Sequence, residues 1–313
     1  MKRLKVFVAG ATGVLGRVVV PELCARGHEV IGLARSDSNV DLLQKLGAEP
    51  VRCDLFAAKS LEAPMRGCDV VLHLATSIPF KRRPRLGDFS LNDRIRTEGT
   101  RNLLAAALRC GVKRFVQQSI ALLHSGHREA WADEEGPLGD HPPYASAIEM
   151  ERTVWQSHGL EGLSTVILRG GWFYGPTAIH TRRLFGALRR GMLPVMGSGE
   201  NHWSLIHVDD MATACVAAAE APAPSQLYLV VDDEPARVKD LFAHIARAQN
   251  RRAPRHAPAW LVSLLAGPLA REMLAASYRC RNRRIKRELS WKLAYPTYRE
   301  GVAAVLQAWS EEA

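Results

Sequence analysis

Residues 6–20, VFVAGATGVLGRVVV, constrain this chain more than any other stretch. An apolar run ends at Ala9, glycines follow at Gly10, Gly13 and Gly16, and an apolar helical pattern takes over. Strand, glycine turn and helix in that order form a phosphate cradle. The first glycine allows a sharp reversal, and the second lets backbone amides approach a pyrophosphate. The third permits close helix–strand packing, and the helix N-terminus adds partial positive charge. The position between a strand and a helix separates the motif from an ordinary glycine-rich turn. It predicts a dinucleotide site built from Gly10, Thr12, Gly13, Val14, Leu15 and Gly16.

The rest of the first two-thirds alternates in the same rhythm. Strand-like runs occupy 5–9, 29–34, 50–52, 69–74, 114–118, 164–168 and 226–231, with helical patterns such as 14–26 and 97–110 between them. Such alternation predicts an α/β fold with a doubly wound parallel sheet. After residue 168 helices and loops dominate, while 206–220 and 226–231 read as a helix and a strand returning to the sheet. The expected layout is a dinucleotide-binding domain, 1–168 plus 202–232, and a smaller discontinuous substrate lobe, 169–201 plus 233–313. In sheets of this kind the ligand sits in the crevice beyond the strands' C-terminal ends.

Composition narrows the function classes. With 313 residues, 47% hydrophobic and 24% charged, the chain has the make-up of a soluble globular protein. The opening MKRLK runs straight into the first strand, and no apolar run reaches membrane-span length, which predicts a cytoplasmic protein without a membrane partner. Six cysteines without paired spacing suit reduced thiols. The net charge of +10 gathers at Lys81, Arg82, Arg83 and Arg85 and again at Arg279, Arg281, Arg283, Arg284, Lys286 and Arg287. Neither cluster interleaves aromatics as a single-strand nucleic-acid platform does, so both read as solvated surface, with no nucleic-acid partner.

Cofactor choice is read at the end of the second strand. NAD sites place a carboxylate there for the ribose 2′-hydroxyl, whereas a 2′-phosphate wants arginine and small hydroxyls. The residues are Ala34, Arg35 and Ser36, which fit NADP, with NAD as the alternative. Asp54, followed by Leu55, is placed either to accept from the adenine amino group or to make a turn. Small residues in His73-Leu74-Ala75-Thr76 let the backbone pass near the nicotinamide ribose, and His73 itself reads as packing.

GATGVLG, HLAT, EGTRNLL, RFVQQS, LRGGWFYGP and WSLIHVDDMA together resemble the extended or atypical branch of the short-chain dehydrogenase/reductase superfamily. The similarity runs from Lys5 to about Trp309 and implies a Rossmann-type domain. It also implies a nicotinamide cofactor and, by family habit, a homodimer through the helix at 97–110. The family's catalytic set is a Ser or Thr, a Tyr, and a Lys four residues after the Tyr. The resemblance assigns Ser119 and Tyr144 to the first two, with Tyr144 also near the cofactor.

The lysine is missing: Ile148 stands four residues after Tyr144, and no lysine occurs between Lys113 and Lys239. A tyrosine of ordinary pKa is a poor base at neutral pH but can still donate a proton, which favours reduction over oxidation. His124, His127, Asp133, Glu134 and Glu135 are alternative proton donors, each reading more simply as a surface loop residue. A second departure is Arg96, which replaces an asparagine expected three residues before Gly99. A third is Trp203, where sugar-nucleotide relatives carry an arginine for the substrate diphosphate. Trp172, Tyr174 and Trp203 read either as the lining of a partly apolar substrate cleft or as core packing.

These readings imply an NADP-dependent oxidoreductase that reduces a small or medium, partly apolar carbonyl compound. The alternatives are a sugar-nucleotide epimerase or dehydratase, and a non-catalytic NADP sensor.

Overall fold

The computed structural model describes residues 2–79, 81, 83–126, 130–139, 142–224 and 226–312. Its centre is a seven-stranded parallel sheet. The strands are β1 (Lys5–Ala9), β2 (Glu29–Ala34), β3 (Glu49–Arg52), β4 (Val70–His73), β5 (Arg114–Ile120), β6 (Ser164–Gly170) and β7 (Leu227–Val230), ordered 3-2-1-4-5-6-7 across the sheet. All seven sequence-predicted strands are present, with ends shifted by one or two residues. The order reverses direction at β1, which opens the ligand crevice beside its C-terminal end.

Alternation along each strand feeds two cores. Val6 and Val8 of β1 face α1 (Gly16–Ala25), α2 (Asp37–Lys45) and α8 (Val208–Glu220). Phe7 and Ala9 face α3 (Ala58–Met65), α5 (Thr100–Arg109) and α6 (Ala145–Gln156). A parallel sheet covered on both faces requires this apolar run, and every residue of β4 is buried.

A third core belongs to the smaller lobe. Phe185 of α7 (Ile179–Arg189), Leu241 and Phe242 of α9 (Val238–Ala248), and Tyr298 and Val302 of α13 (Tyr298–Glu311) pack together there. The expected lobe boundary differs in one respect. Ile285 of the helix Arg283–Leu289 and Trp291 join the sheet's core, and Trp291 Nε1 donates to Asp210 O at 3.2 Å on α8. A buried indole and isoleucine thus return part of 233–313 to the dinucleotide domain. The predicted helix at 206–220 also divides. Leu205–His207 is a short strand paired with Trp172–Tyr174, and the helix begins at Val208.

The turn from β1 into α1 is held by backbone proximity. Gly10 has φ +88°, and a Cβ there would lie 2.5 Å from Ala75 N, just beyond β4. A Cβ on Gly16 would lie 2.2 Å from Gly10 O. Neither clash can be relieved by turning a side chain, because both neighbours are backbone. Gly16→Val is expected to destabilise the protein by about 3 kcal/mol. Thermal unfolding checks this, and an unchanged Tm would show that the turn has room to open.

Candidate active site

The loop that follows β1 is closed on itself. Gly13 N donates to Gly10 O at 3.0 Å, and Arg17 Nε donates to Thr12 O at 2.9 Å. Gly13 differs from its two neighbours in the motif. Beyond its adjacent residues, the single heavy atom within 4 Å of an added Cβ is Gly10 O, at 3.2 Å. Its missing side chain therefore leaves space that a phosphate can fill. Helix α1 has no side-chain cap and no acidic residue in its first turn, so the dipole is not offset there. This cradle fits a dinucleotide pyrophosphate.

The adenosine side is more divided. Arg35 and Ser36 are exposed at the end of β2. Ser36 Oγ caps α2 by accepting from Asn39 N at 3.3 Å and lies 3.0 Å from Ser38 Oγ. Arg52 pairs with Asp37 beside them. Asp54 makes the turn: its Oδ1 accepts from Phe56 N at 2.9 Å. Leu55 is buried in the core under Gly99, and its carbonyl accepts from Asn102 Nδ2 at 3.0 Å. Leu74 continues the sheet pairing through Ala9 O at 2.8 Å, while Ala75 and Thr76 become progressively exposed. His73 packs edge-on to Phe115 with centroids 6.5 Å apart, and burial lowers its pKa to about 4, so it is a neutral packing residue.

Tyr144 stands at the N-cap of α6, 7% exposed, against Leu123, Ala147, Ile120 and Ile148. Burial pushes its pKa up to about 12, the charge of Glu272 pushes the same way, and Arg96 opposes both. Glu272 belongs to α11 (Pro268–Ala275).

Ser119 does not share this position freely. Its hydroxyl donates to Glu151 Oε1 at 2.5 Å, fully within the protein. Arg169 clamps the same carboxylate through Nε at 3.0 and 3.2 Å and Nη2 at 2.6 Å. Arg169 Nη1 donates to His124 Nε2 at 2.9 Å. A guanidinium can only donate, so Nε2 accepts, and Nδ1 carries the hydrogen toward Pro137 O, 3.1 Å away. Ser119, which the resemblance assigns to the family's catalytic serine, directs its single proton to Glu151 in this structure.

The loop alternatives are corrected too. His124 and Glu134 are buried rather than at the surface, with Glu134 Oε1 accepting from Leu229 N at 3.1 Å. Glu135 is exposed and paired with Arg284, Asp133 closes a turn with Gly136, and His127 lies outside the described residues. Arg82 of the first basic cluster also lies outside them. Sequence reasoning passed over Glu151 and Arg169. The available signal was an arginine inside the apolar run TVILRGG, which demands a buried anionic partner.

The aromatic set divides. Trp203 and Tyr174 are buried in the third core, which favours the packing reading of the two. Trp203 Nε1 donates to Ala276 O at 3.2 Å, and Tyr174 lies edge-on to His207 at 5.2 Å. Trp172 is half-buried, stacked obliquely on Trp203 at 5.8 Å. Their apolar area is needed to close a lobe built from short segments, which is why packing wins.

Comparison with known proteins bears out the fold. The model of the NAD dependent epimerase/dehydratase family matches residues 6–230. The chain is 35% identical over 314 residues to a 3-diazoavenalumate denitrifying reductase from a Streptomyces species, covering 96% of this chain and 99% of that protein. It is 29% identical over 256 residues to a 4-hydroxy-2-methyl-3-oxo-4-farnesyl-3,4-dihydroquinoline-1-oxide ketoreductase from Stigmatella aurantiaca, covering 80% and 75% of the two chains. The solved structure of human epimerase family protein SDR39U1 with NADPH superposes with a TM-score of 0.82 at 21% identity, over 97% of this chain and 99% of that one.

The buried carboxylate gives the site a mechanical test. Arg169→Met leaves Glu151 without its cation and is expected to cost about 3–5 kcal/mol of stability at neutral pH. Urea unfolding measures it, and a loss under about 1 kcal/mol would mean that the pair is not structurally coupled.

Proposed function

Because this chain belongs to the NAD dependent epimerase/dehydratase family, we propose that it is an NADPH-dependent reductase of a small or medium, partly apolar carbonyl compound. The observation that carries this reading is Tyr144, a buried phenol that stands protonated at neutral pH. When bound, NADPH supplies a hydride to the carbonyl carbon. Tyr144 gives its proton to the carbonyl oxygen, and the phenolate left behind is reprotonated from solvent, so a ketone becomes an alcohol with charge and atoms in balance.

The same phenol disfavours the epimerase alternative. Removing a proton from a sugar hydroxyl needs the phenolate, and a group with pKa near 12 is ionised at pH 7 in only about one molecule in 10⁵. The two relatives named above are reductases by name, which supports the direction chosen. For the cofactor, Gly10, Gly13, Gly16 and the α1 N-terminus would hold the pyrophosphate. Arg35, exposed and in no ion pair among the described residues, would meet the 2′-phosphate with Ser36 and Ser38.

Two variants test the reading. Arg35→Asp should weaken NADPH binding by about 2 kcal/mol, roughly thirtyfold, and leave NADH binding equal or better. Equal NADPH affinity in titrations of both proteins would remove Arg35 from the site. Tyr144→Phe should cut NADPH oxidation against a panel of aliphatic and aryl ketones by about a hundredfold, with NADPH affinity nearly intact. Full activity in that variant would place the proton donor elsewhere. Tight NADPH binding without turnover of any carbonyl would favour the sensor.

A further inference from the structure

Far along the chain, a short helix exposes the side chains that a surface helix normally buries. Helix α10 (Ala259–Ala266) reads AWLVSLLA and carries no charge. Gly267, at φ +89°, and Pro268 stop it, and α11 packs back against it. At about 100° per residue, Trp260, Leu261, Leu264 and Leu265 share an arc of about 140°. Trp260 is 68% exposed, Leu264 62% and Leu265 48%, while Val262 on the opposite side is buried. The polarity of an amphipathic surface helix is thus reversed, with its bulkiest apolar side chains turned outward.

The helix is pinned in that pose. Arg83, in the loop that follows β4, donates from Nε to Leu265 O at 3.0 Å and from Nη2 to Leu264 O. A cation there satisfies carbonyls that a helix end leaves open and suits the helix dipole. The surrounding charge has one sign. Residues 241–271 include Arg247, Arg251, Arg252, Arg255 and Arg271, and no Asp or Glu. Arg251, Arg252 and Arg255, just before α10, are exposed and in no ion pair among the described residues. Arg255 O accepts from Val195 N at 2.9 Å, and Met192, in the approach to Val195, is 70% exposed.

We propose that this face docks on an anionic lipid bilayer. Trp260, Leu264 and Leu265 enter the boundary between headgroups and acyl chains, and Arg251, Arg252 and Arg255 meet the lipid phosphates. An apolar helical face, a tryptophan on it and unpaired arginines beside it are what such a surface recognises. A second copy of the chain suits the face less, because it would bring the same arginines against these. No described helix is long and apolar enough to cross a membrane, so the contact is with one leaflet. This departs from the expectation of a chain without a membrane partner. Span length, on which that expectation rests, says nothing of a helix lying in the interface plane.

The test mixes the full chain with vesicles of phosphatidylcholine and phosphatidylglycerol in about equal parts, or of phosphatidylcholine alone, and separates bound protein by flotation. Affinity for the anionic vesicles should be higher by about tenfold or more and should fall as salt is raised. Trp260→Glu should lose about tenfold or more of it, as should the triple variant Arg251→Glu, Arg252→Glu, Arg255→Glu. All four side chains are exposed, so Tm should stay at the parent value. With phosphatidylglycerol brominated on its acyl chains, the parent's tryptophan fluorescence should be quenched, and Trp260→Phe should lose most of that quenching. Equal binding to both kinds of vesicle, no binding to either, or no quenching by the brominated lipid would overturn the proposal. The parent protein alone suffices for these three results, whatever the variants' folding. Unchanged affinity in Trp260→Glu would leave only a charge attraction that an acidic protein would satisfy equally, and would overturn it too. A parent dimer that Trp260→Glu dissociates in light scattering, without lipid binding, would give the face to a second copy instead.

Discussion

The approach of one backbone segment to another governs this molecule. At the C-terminal edge of the sheet, the turn after β1 lies so close to the end of β4 that no side chain fits between Gly10 and Ala75. The same turn leaves no room on Gly16 against Gly10 O. These contacts aim the N-terminus of α1 at the point where the strand order reverses. The ends of the neighbouring strands take their positions from a sheet anchored there. Gly13 is the exception that reveals the purpose: the protein does not fill its space.

Across the crevice, polar groups are sorted into two kinds. Ser119, Glu151, Arg169 and His124 form a chain in which each donor has an acceptor, so their chemistry is spent on one another. A satisfied buried network of this kind makes the end of β5 rigid against α6. Tyr144 lies apart from that chain, buried at the N-cap of α6 against Leu123 and Ala147. Burial raises the pKa of this phenol, so at neutral pH it stands protonated.

The lobe shows how size overrides appearance. Trp172, Tyr174 and Trp203 look in sequence like a furnished substrate cleft, yet two of the three are interior. A lobe assembled from α7, α9, α13 and short extended segments has little regular apolar surface of its own. Its stability depends on large aromatic side chains closing the gaps.

Periodicity and glycine spacing sufficed for the doubly wound sheet, its seven strands and the phosphate cradle, because these depend on local alternation and on the steric freedom of a few positions. The family motifs likewise pointed to Tyr144 as a candidate and showed that no lysine stands four residues after it. They could not show that Ser119 is tied to Glu151, or that His124 is interior. Those facts depend on which side chains from β5, β6 and α6 meet after the chain has folded. Arg96 is the sharpest instance. In sequence it was a departure with no consequence, 48 residues before Tyr144. Only the packing of a π-helical turn against α6 brought its guanidinium inward to Ser146 Oγ, a contact between residues far apart along the chain.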